Sequence, residues 1–207
     1  MFRITTKRRI VTGKIVIEKI EDWDTGLFLW LNRQHAPWLD PVMYWATDQF
    51  FWIPLYAALL AWIAVRHQSR AILIILAIAA AVGLADYVAS GLMKPLFMRF
   101  RPCHTLEIKR LVYVLRGCGG QFGFVSSHAA TTFALAASAF LLLRQHGRWV
   151  VLLFPWAGLV SYSRIYVGVH YPLDVLAGAG VGVLCAVAMV RLRLLVLRRL
   201  ERRGIRA

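Results

Sequence analysis

The stretch Ser163-Arg164-Ile165-Tyr166-Val167-Gly168-Val169-His170-Tyr171-Pro172-Leu173-Asp174 sets a cation, an imidazole and a carboxylate between two strongly apolar segments, residues 149–166 and 172–196. Apolar runs of that length belong in a bilayer, where an ionisable group is costly and therefore a functional candidate. His170 and Asp174 are four residues apart, and Pro172 suits the first turn of a helix starting between them. On such a turn the carboxylate shares a face with the imidazole. It can fix the ring's tautomer and leave the other nitrogen free to attack. Arg164, at the end of the preceding segment, is placed to hold an oxyanion. Taken alone, H-x-x-x-D reads as a helix-end histidine beside a capping aspartate; the rest of the chain decides between the two.

The chain has 207 residues, 59% of them hydrophobic, and a mean hydropathy of +0.60. The apolar residues come in long runs, which predicts an all-α integral membrane helical bundle. The composition divides it into a basic N-terminal tail over 1–21, one membrane domain over 22–199 and a basic cytoplasmic tail over 200–207. The basic N-terminus has no apolar core followed by a small-residue cleavage site, so no signal peptide is expected. A net charge of +15, from 25 Lys and Arg against 10 Asp and Glu, fits basic cytoplasmic loops together with an anion site. No nucleic-acid-binding motif accompanies it, and nucleic acid is excluded as a partner.

Residues 24–49 mix Leu27, Trp30, Leu31, Trp38, Leu39, Met43 and Trp45 with Asn32, Arg33, Gln34, His35 and Asp40, interrupted by Pro37 and Pro41. This predicts amphipathic helices lying in the membrane interface. Five spans follow, over 50–65, 71–93, 127–143, 149–166 and 172–196. Alternating them puts Arg66 and Arg70, Arg144 and Arg148, and the arginine-rich C-terminus on one face, which the positive-inside rule makes cytoplasmic. Lys94, the loop 95–126 and the stretch 164–174 then share the outer face. Five crossings leave the basic N-terminus outside, against the rule; a sixth crossing within 25–45 would bring it in.

Three clusters meet at the outer face. In the first, Lys94 and Arg101-Pro102 are separated by six residues, Arg99 among them. Arginine offers a planar fork of donors to phosphate oxygens, and lysine a point charge. The second is Ser126-Ser127-His128 at the start of the third span, where helix N–H groups favour an anion and the histidine can move a proton. The third is the opening stretch. Asp86, two turns before Lys94, either supports this site or bonds a neighbouring helix. Gly178, Gly180 and Gly182 suit close helix packing. Cys103 and Cys118 share one extracytoplasmic loop, which predicts a disulfide tying the segment with Arg101 to the approach to Ser126.

The order K-x6-R-P, S-x-H, S-R-x5-H-x3-D resembles the type 2 phosphatidic acid phosphatase family. These are membrane lipid phosphate phosphatases, related to class A acid phosphatases and vanadium haloperoxidases. The resemblance covers roughly residues 22–190. It departs once: where the family usually reads P-S-G-H, this chain has Val125-Ser126-Ser127-His128, which tightens that wall of the site and adds a hydroxyl.

The resemblance implies His170 as nucleophile, forming a phosphohistidine, with Asp174 orienting it and His128 as acid and then base. Lys94, Arg101, Arg164, Ser126 and the backbone of Ser127 would hold the phosphate oxygens, and Ser163 would support Arg164. No cofactor is expected, and with three cations facing the phosphate no metal is called for. The implied substrate is a lipid phosphate in a bacterial inner membrane, met at the periplasmic face. Undecaprenyl diphosphate comes first, then phosphatidylglycerol phosphate, phosphatidic acid and lipid A 1-phosphate. Two other readings remain: a phosphotransferase using the same intermediate, and a non-catalytic transporter or scaffold.

Overall fold

The computed structural model describes residues 3–203, with side chains from residue 17 onward; the ends of both predicted tails lie outside the described residues. Eight α-helices appear in order: α1 (Arg3–Asn32), α2 (Asp40–Ala46), α3 (Ile53–His67), α4 (Ala71–Asp86), α5 (Lys94–Phe97), α6 (Ser127–Leu143), α7 (Leu153–Tyr166) and α8 (Pro172–Arg202). No strand occurs among the described residues, so the expected all-helical architecture stands. The five apolar runs appear as α3, α4 with its continuation, α6, α7 and α8. Two stretches, Ile53–Phe97 and Pro172–Arg202, are long and apolar enough to cross a membrane. The first is not one rod. Gln68, at φ 44°, ends α3, and the chain folds back so that Leu59 and Ile63 pack on Ala71, Ile74 and Ile78.

The bundle is built around α6, whose alanines let its neighbours approach closely. Ala129, Ala130, Ala134, Ala136 and Ala139 are fully buried. A Cβ on Gly178 of α8 would lie 2.5 Å from the Ser126 carbonyl, and one on Gly182 would lie 2.2 Å from that of Ala130. Those two glycines are the contact surface, while Gly180 faces open space. Hydroxyls within α6 bond back to its own carbonyls, Thr132 to His128 at 2.7 Å and Ser138 to Ala134 at 2.6 Å. Polar groups are thereby satisfied inside an apolar core.

The outer surface is apolar where a soluble protein would be wet. Val65, Leu76, Leu176 and Leu184 stand exposed on α3, α4 and α8, as lipid-facing side chains do. On α1, Trp23 and Trp30 also point outward. Its polar residues do not all face water as an interfacial helix predicts: Asp24 and Asn32 are completely buried, on the same face as the buried Phe28. Helix α1 runs unbroken through residue 21.

Two helix junctions set up the site. Between α7 and α8 the chain turns through Gly168 at φ 81°, where a Cβ would collide with the Tyr113 carbonyl at 2.5 Å. The turn brings the N–H of His170 back to the carbonyl of Arg164 at 3.3 Å. Between α4 and α5 a π-helical turn spans Tyr87–Met93, a local rewinding often found where side chains must be re-aimed. It delivers Lys94.

Candidate active site

His170 is buried and sits just before α8. Its Nδ1 lies 3.5 Å from Oδ2 of Asp174 in the first turn of that helix, at the outer edge of hydrogen-bonding distance. The other Asp174 contacts are tighter. Oδ2 accepts the Tyr171 N–H at 3.0 Å, and Oδ1 receives Arg99 Nη1 at 2.7 Å. Burial pushes the His170 pKa down to about 4, with Asp174 pulling partly the other way. The ring is therefore neutral at physiological pH, the form that can attack.

Helix α6 starts beside it. The N–H of Ser126 donates to the Asp174 carbonyl at 2.9 Å, and Ser126 Oγ accepts the Ala129 N–H at 3.5 Å. Ser126 is fully buried, so its hydroxyl caps the helix. The N–H groups that follow, at Ser127 and His128, are of the kind a helix leaves without an internal partner. His128 lies within electrostatic reach of Arg164, His170, Lys94 and Arg101. The two histidines thus share one neighbourhood.

The cations arrive from three directions. Lys94 Nζ donates to Ser127 Oγ and to Ser90 Oγ, both at 3.3 Å, and Ser90 donates to Asp86 at 3.4 Å. Of the two readings open for Asp86, support of Lys94 through Ser90 matches this chain of contacts. Arg101 is buried; its Nε and Nη1 donate to the carbonyls of Phe122 and Cys118, each at 3.3 Å. Burial lowers its pKa, and Asp174 works against that. Arg164 Nη1 donates to Thr47 Oγ1 at the end of α2. Ser163 is buried, and its hydroxyl donates to the Val160 carbonyl at 2.6 Å. Cys103 and Cys118 are joined as a disulfide, with Cα atoms 6.2 Å apart.

Several residues outside the predicted set also shape the site. Gly123 packs against it: a Cβ there would sit 3.1 Å from Asp174 Oδ2, 3.2 Å from Arg101 Cγ and 3.5 Å from His170 Nδ1. No local pattern marks that glycine in the sequence. Asp24 of α1 pairs with Arg99 at 2.7 Å and accepts the Leu173 N–H at 2.9 Å. Asn32, two turns on, donates to the carbonyls of Ile165 and Tyr166 at the end of α7. The Asp24, Phe28, Asn32 spacing was the available signal: two polar residues flanking a phenylalanine at helical period, on a helix whose tryptophans point the other way.

A cavity of about 830 Å³ opens from this polar end. Asp86, Ser127 and His128 line one part of it, and Tyr56, Leu59 and Ile78 another, so a wet head region grades into an apolar cleft between α3, α4 and α6.

The sequence pattern of the PAP2 superfamily matches residues 70–197. Lipid A 4'-phosphatase of Bacteroides thetaiotaomicron is 39% identical over 172 residues, covering 81% of this chain and 75% of that protein. Undecaprenyl-diphosphatase of Sulfolobus acidocaldarius is 31% identical over 160 residues, covering 75% and 71% respectively. The crystal structure of Aquifex aeolicus LpxE superposes with a TM-score of 0.57 at 27% identity, over 80% of this chain and 93% of that one. The matched span includes Lys94, Arg101, His128, Arg164, His170 and Asp174, and with these similarities the chain belongs to the PAP2 superfamily.

Proposed function

We propose that this protein is a membrane lipid phosphatase that cleaves a phosphate monoester or diphosphate through a phosphohistidine on His170. The observation that carries the reading is the buried His170–Asp174 pair at 3.5 Å, together with an apolar cavity that reaches His128. A phosphate at the polar end has cations around it, and a hydrocarbon tail has the cleft.

In the first step the free nitrogen of His170 attacks phosphorus, the bond from phosphorus to the leaving oxygen breaks, and His128 gives that oxygen its proton. Asp174 stabilises the positive charge on the phosphorylated ring. In the second step His128 takes a proton from water, the water oxygen bonds phosphorus, and the phosphorus–nitrogen bond breaks to return His170. Lys94, Arg101, Arg164 and the helix-start N–H of Ser127 offset the charge on the transferring group. Ser126 contributes by capping α6.

The higher identity to a lipid A 4'-phosphatase favours a lipid A 4'-phosphate over the undecaprenyl diphosphate that the sequence put first. The diphosphate stays as the second reading because a relative of that name also covers most of the chain. We propose five spans, placing the site at the outer face of a bacterial cytoplasmic membrane. The exposed apolar faces of α3, α4 and α8 and the basic loops at the opposite end support that placement.

Phosphate release in detergent from lipid A, undecaprenyl diphosphate, phosphatidylglycerol phosphate and phosphatidic acid tests the reading, with His170→Ala as blank. Turnover of at least one lipid by the wild type and none by the variant is expected. No release from any lipid, or equal release by the variant, would overturn it.

A further inference from the structure

Arg99 and Asp24 carry no role in the chemistry as set out above, yet Arg99 makes the shortest contact to Asp174 and Asp24 holds the other side of that guanidinium. One fork of the Arg99 guanidinium meets Asp174 Oδ1 and the other meets Asp24 Oδ2, both at 2.7 Å. The same guanidinium lies 4.1 Å from the centroid of the Tyr171 ring, and Asp24 Oδ1 accepts the Leu173 N–H. Both carboxylates are fully buried. Two carboxylates held out of water on one cation are strongly coupled: removing the cation leaves like charges with nothing to offset them.

The contacts divide the two oxygens of Asp174. Oδ1 is taken by Arg99, and Oδ2 holds the Tyr171 N–H while facing His170 Nδ1. The carboxylate cannot rotate without losing an ion pair. A planar guanidinium bonded at both forks is itself fixed in orientation. Asp24 therefore acts on Asp174 through Arg99, and α1 supplies it.

We infer that Asp24 and Arg99 are positioning residues for phosphoryl transfer: α1 contributes a buried carboxylate that, through Arg99, locks the orientation and charge of Asp174 and with it the His170 ring. The inference rests on the reading of His170 as nucleophile. It gives the first helix a function beyond resting in the membrane interface.

The alternative is that the ion pair only anchors α1. Charge balance separates the two. The titratable and charged groups facing Asp174 are His170, Arg99, Arg101, Asp24 and Tyr171. Removing Arg99 alone leaves both buried carboxylates short of their shared cation, so one takes up a proton and Asp174 no longer supports His170. Removing Asp24 together with Arg99 relieves that repulsion.

The test uses the full-length protein in detergent with whichever lipid phosphate it turns over. It compares Asp24→Asn, Arg99→Met and the double variant, each checked for a folded, monodisperse state. Asp24→Asn is expected to lower kcat by about 10-fold and Arg99→Met by about 100-fold, the range typical of residues that orient a reacting group, with KM little changed. The Arg99→Met acid limb moves to higher pH, and the double variant recovers activity over Arg99→Met. Wild-type kcat in Arg99→Met, or a double variant no more active than Arg99→Met, would overturn the inference. Where a variant does not fold, Arg99→Lys takes its place: partial activity with a wild-type KM supports the inference, and full activity contradicts it. His170→Ala separates the two levels. If that variant is inactive while Arg99→Met matches the wild type, only the positioning role fails; if it remains active, the nucleophile reading fails first.

Discussion

The backbone N–H of Ser126 donates to the carbonyl of Asp174 at 2.9 Å, fastening the start of α6 to the first turn of α8. That one bond ties the helix bearing His128 to the helix whose Asp174 faces His170. The close packing of α6 on α8 keeps it in place, so packing and chemistry are linked in this bundle. Each expectation below uses that link or a neighbouring one.

Gly182→Ala puts a methyl group 2.2 Å from the Ala130 carbonyl, which only a shift of α8 can relieve. Overpacking of this kind costs about 1–3 kcal/mol, and thermal unfolding in detergent should show the lowered midpoint along with reduced turnover. Gly180→Ala meets nothing within 4 Å and gains helix propensity, so it should unfold at the same temperature or slightly higher, by up to about 1 kcal/mol. Equal midpoints for the two variants would refute the packing argument.

The Ser127 hydroxyl is one of two that Lys94 contacts. Ser127→Gly leaves Ser90 in place and opens the wall beside the phosphate. A hydrogen bond from a charged ammonium contributes about 1.5–3 kcal/mol, part of which the contact to Ser90 retains, so kcat should fall by about 10-fold at most. Ser126→Ala removes the cap of α6 and should cost about 1 kcal/mol in stability, read from the unfolding midpoint.

Burial holds the His170 pKa near 4, against an ordinary value of 6.5. The neutral ring therefore persists in the folded protein down to about pH 4, and the unfolded chain binds the proton more readily between those values. Stability from this group is complete above pH 6.5 and is lost as pH falls towards 4. The His170 ring signals in an NMR pH titration, assigned with His170→Ala, should shift with a midpoint near pH 4. A midpoint near 6.5 would contradict the burial argument.

The Cys103–Cys118 bridge adjoins Arg101, whose guanidinium donates to the Cys118 carbonyl. Neither cysteine should be alkylated in the native protein without prior reduction. Opening a loop of this size removes about 3 kcal/mol of stabilisation. Because Arg101 grips that loop, reduction should also raise KM for the lipid phosphate. Both cysteines reacting before reduction would rule the bridge out.

The residues readable from sequence are those whose chemistry is out of place in lipid. Lys94, His128, Arg164, His170 and Asp174 sit at or beside the ends of apolar runs, Arg101 lies in the loop after one, and their spacing does the rest. The apolar runs likewise place α3, α4, α6, α7 and α8 to within a few residues. Asp24, Asn32 and Thr47 were not readable in the same way. They lie in a stretch polar enough to suit an interface, and only tertiary packing turns them inward to Arg99, the end of α7 and Arg164. Gly123 left no trace because its importance is the absence of a Cβ against three side chains that come from distant parts of the chain.

The most direct measurement is the covalent intermediate itself. Wild type and His128→Ala are mixed with a lipid substrate carrying radiolabelled phosphate and quenched in alkali, where phosphohistidine survives. Label should appear on wild-type His170 during turnover, whereas His128→Ala, lacking the acid of the first step and the base of the second, should turn over little. Label should be absent from His170→Ala. Turnover by the wild type with no label on His170 in either protein, or label on a different residue, would contradict the account.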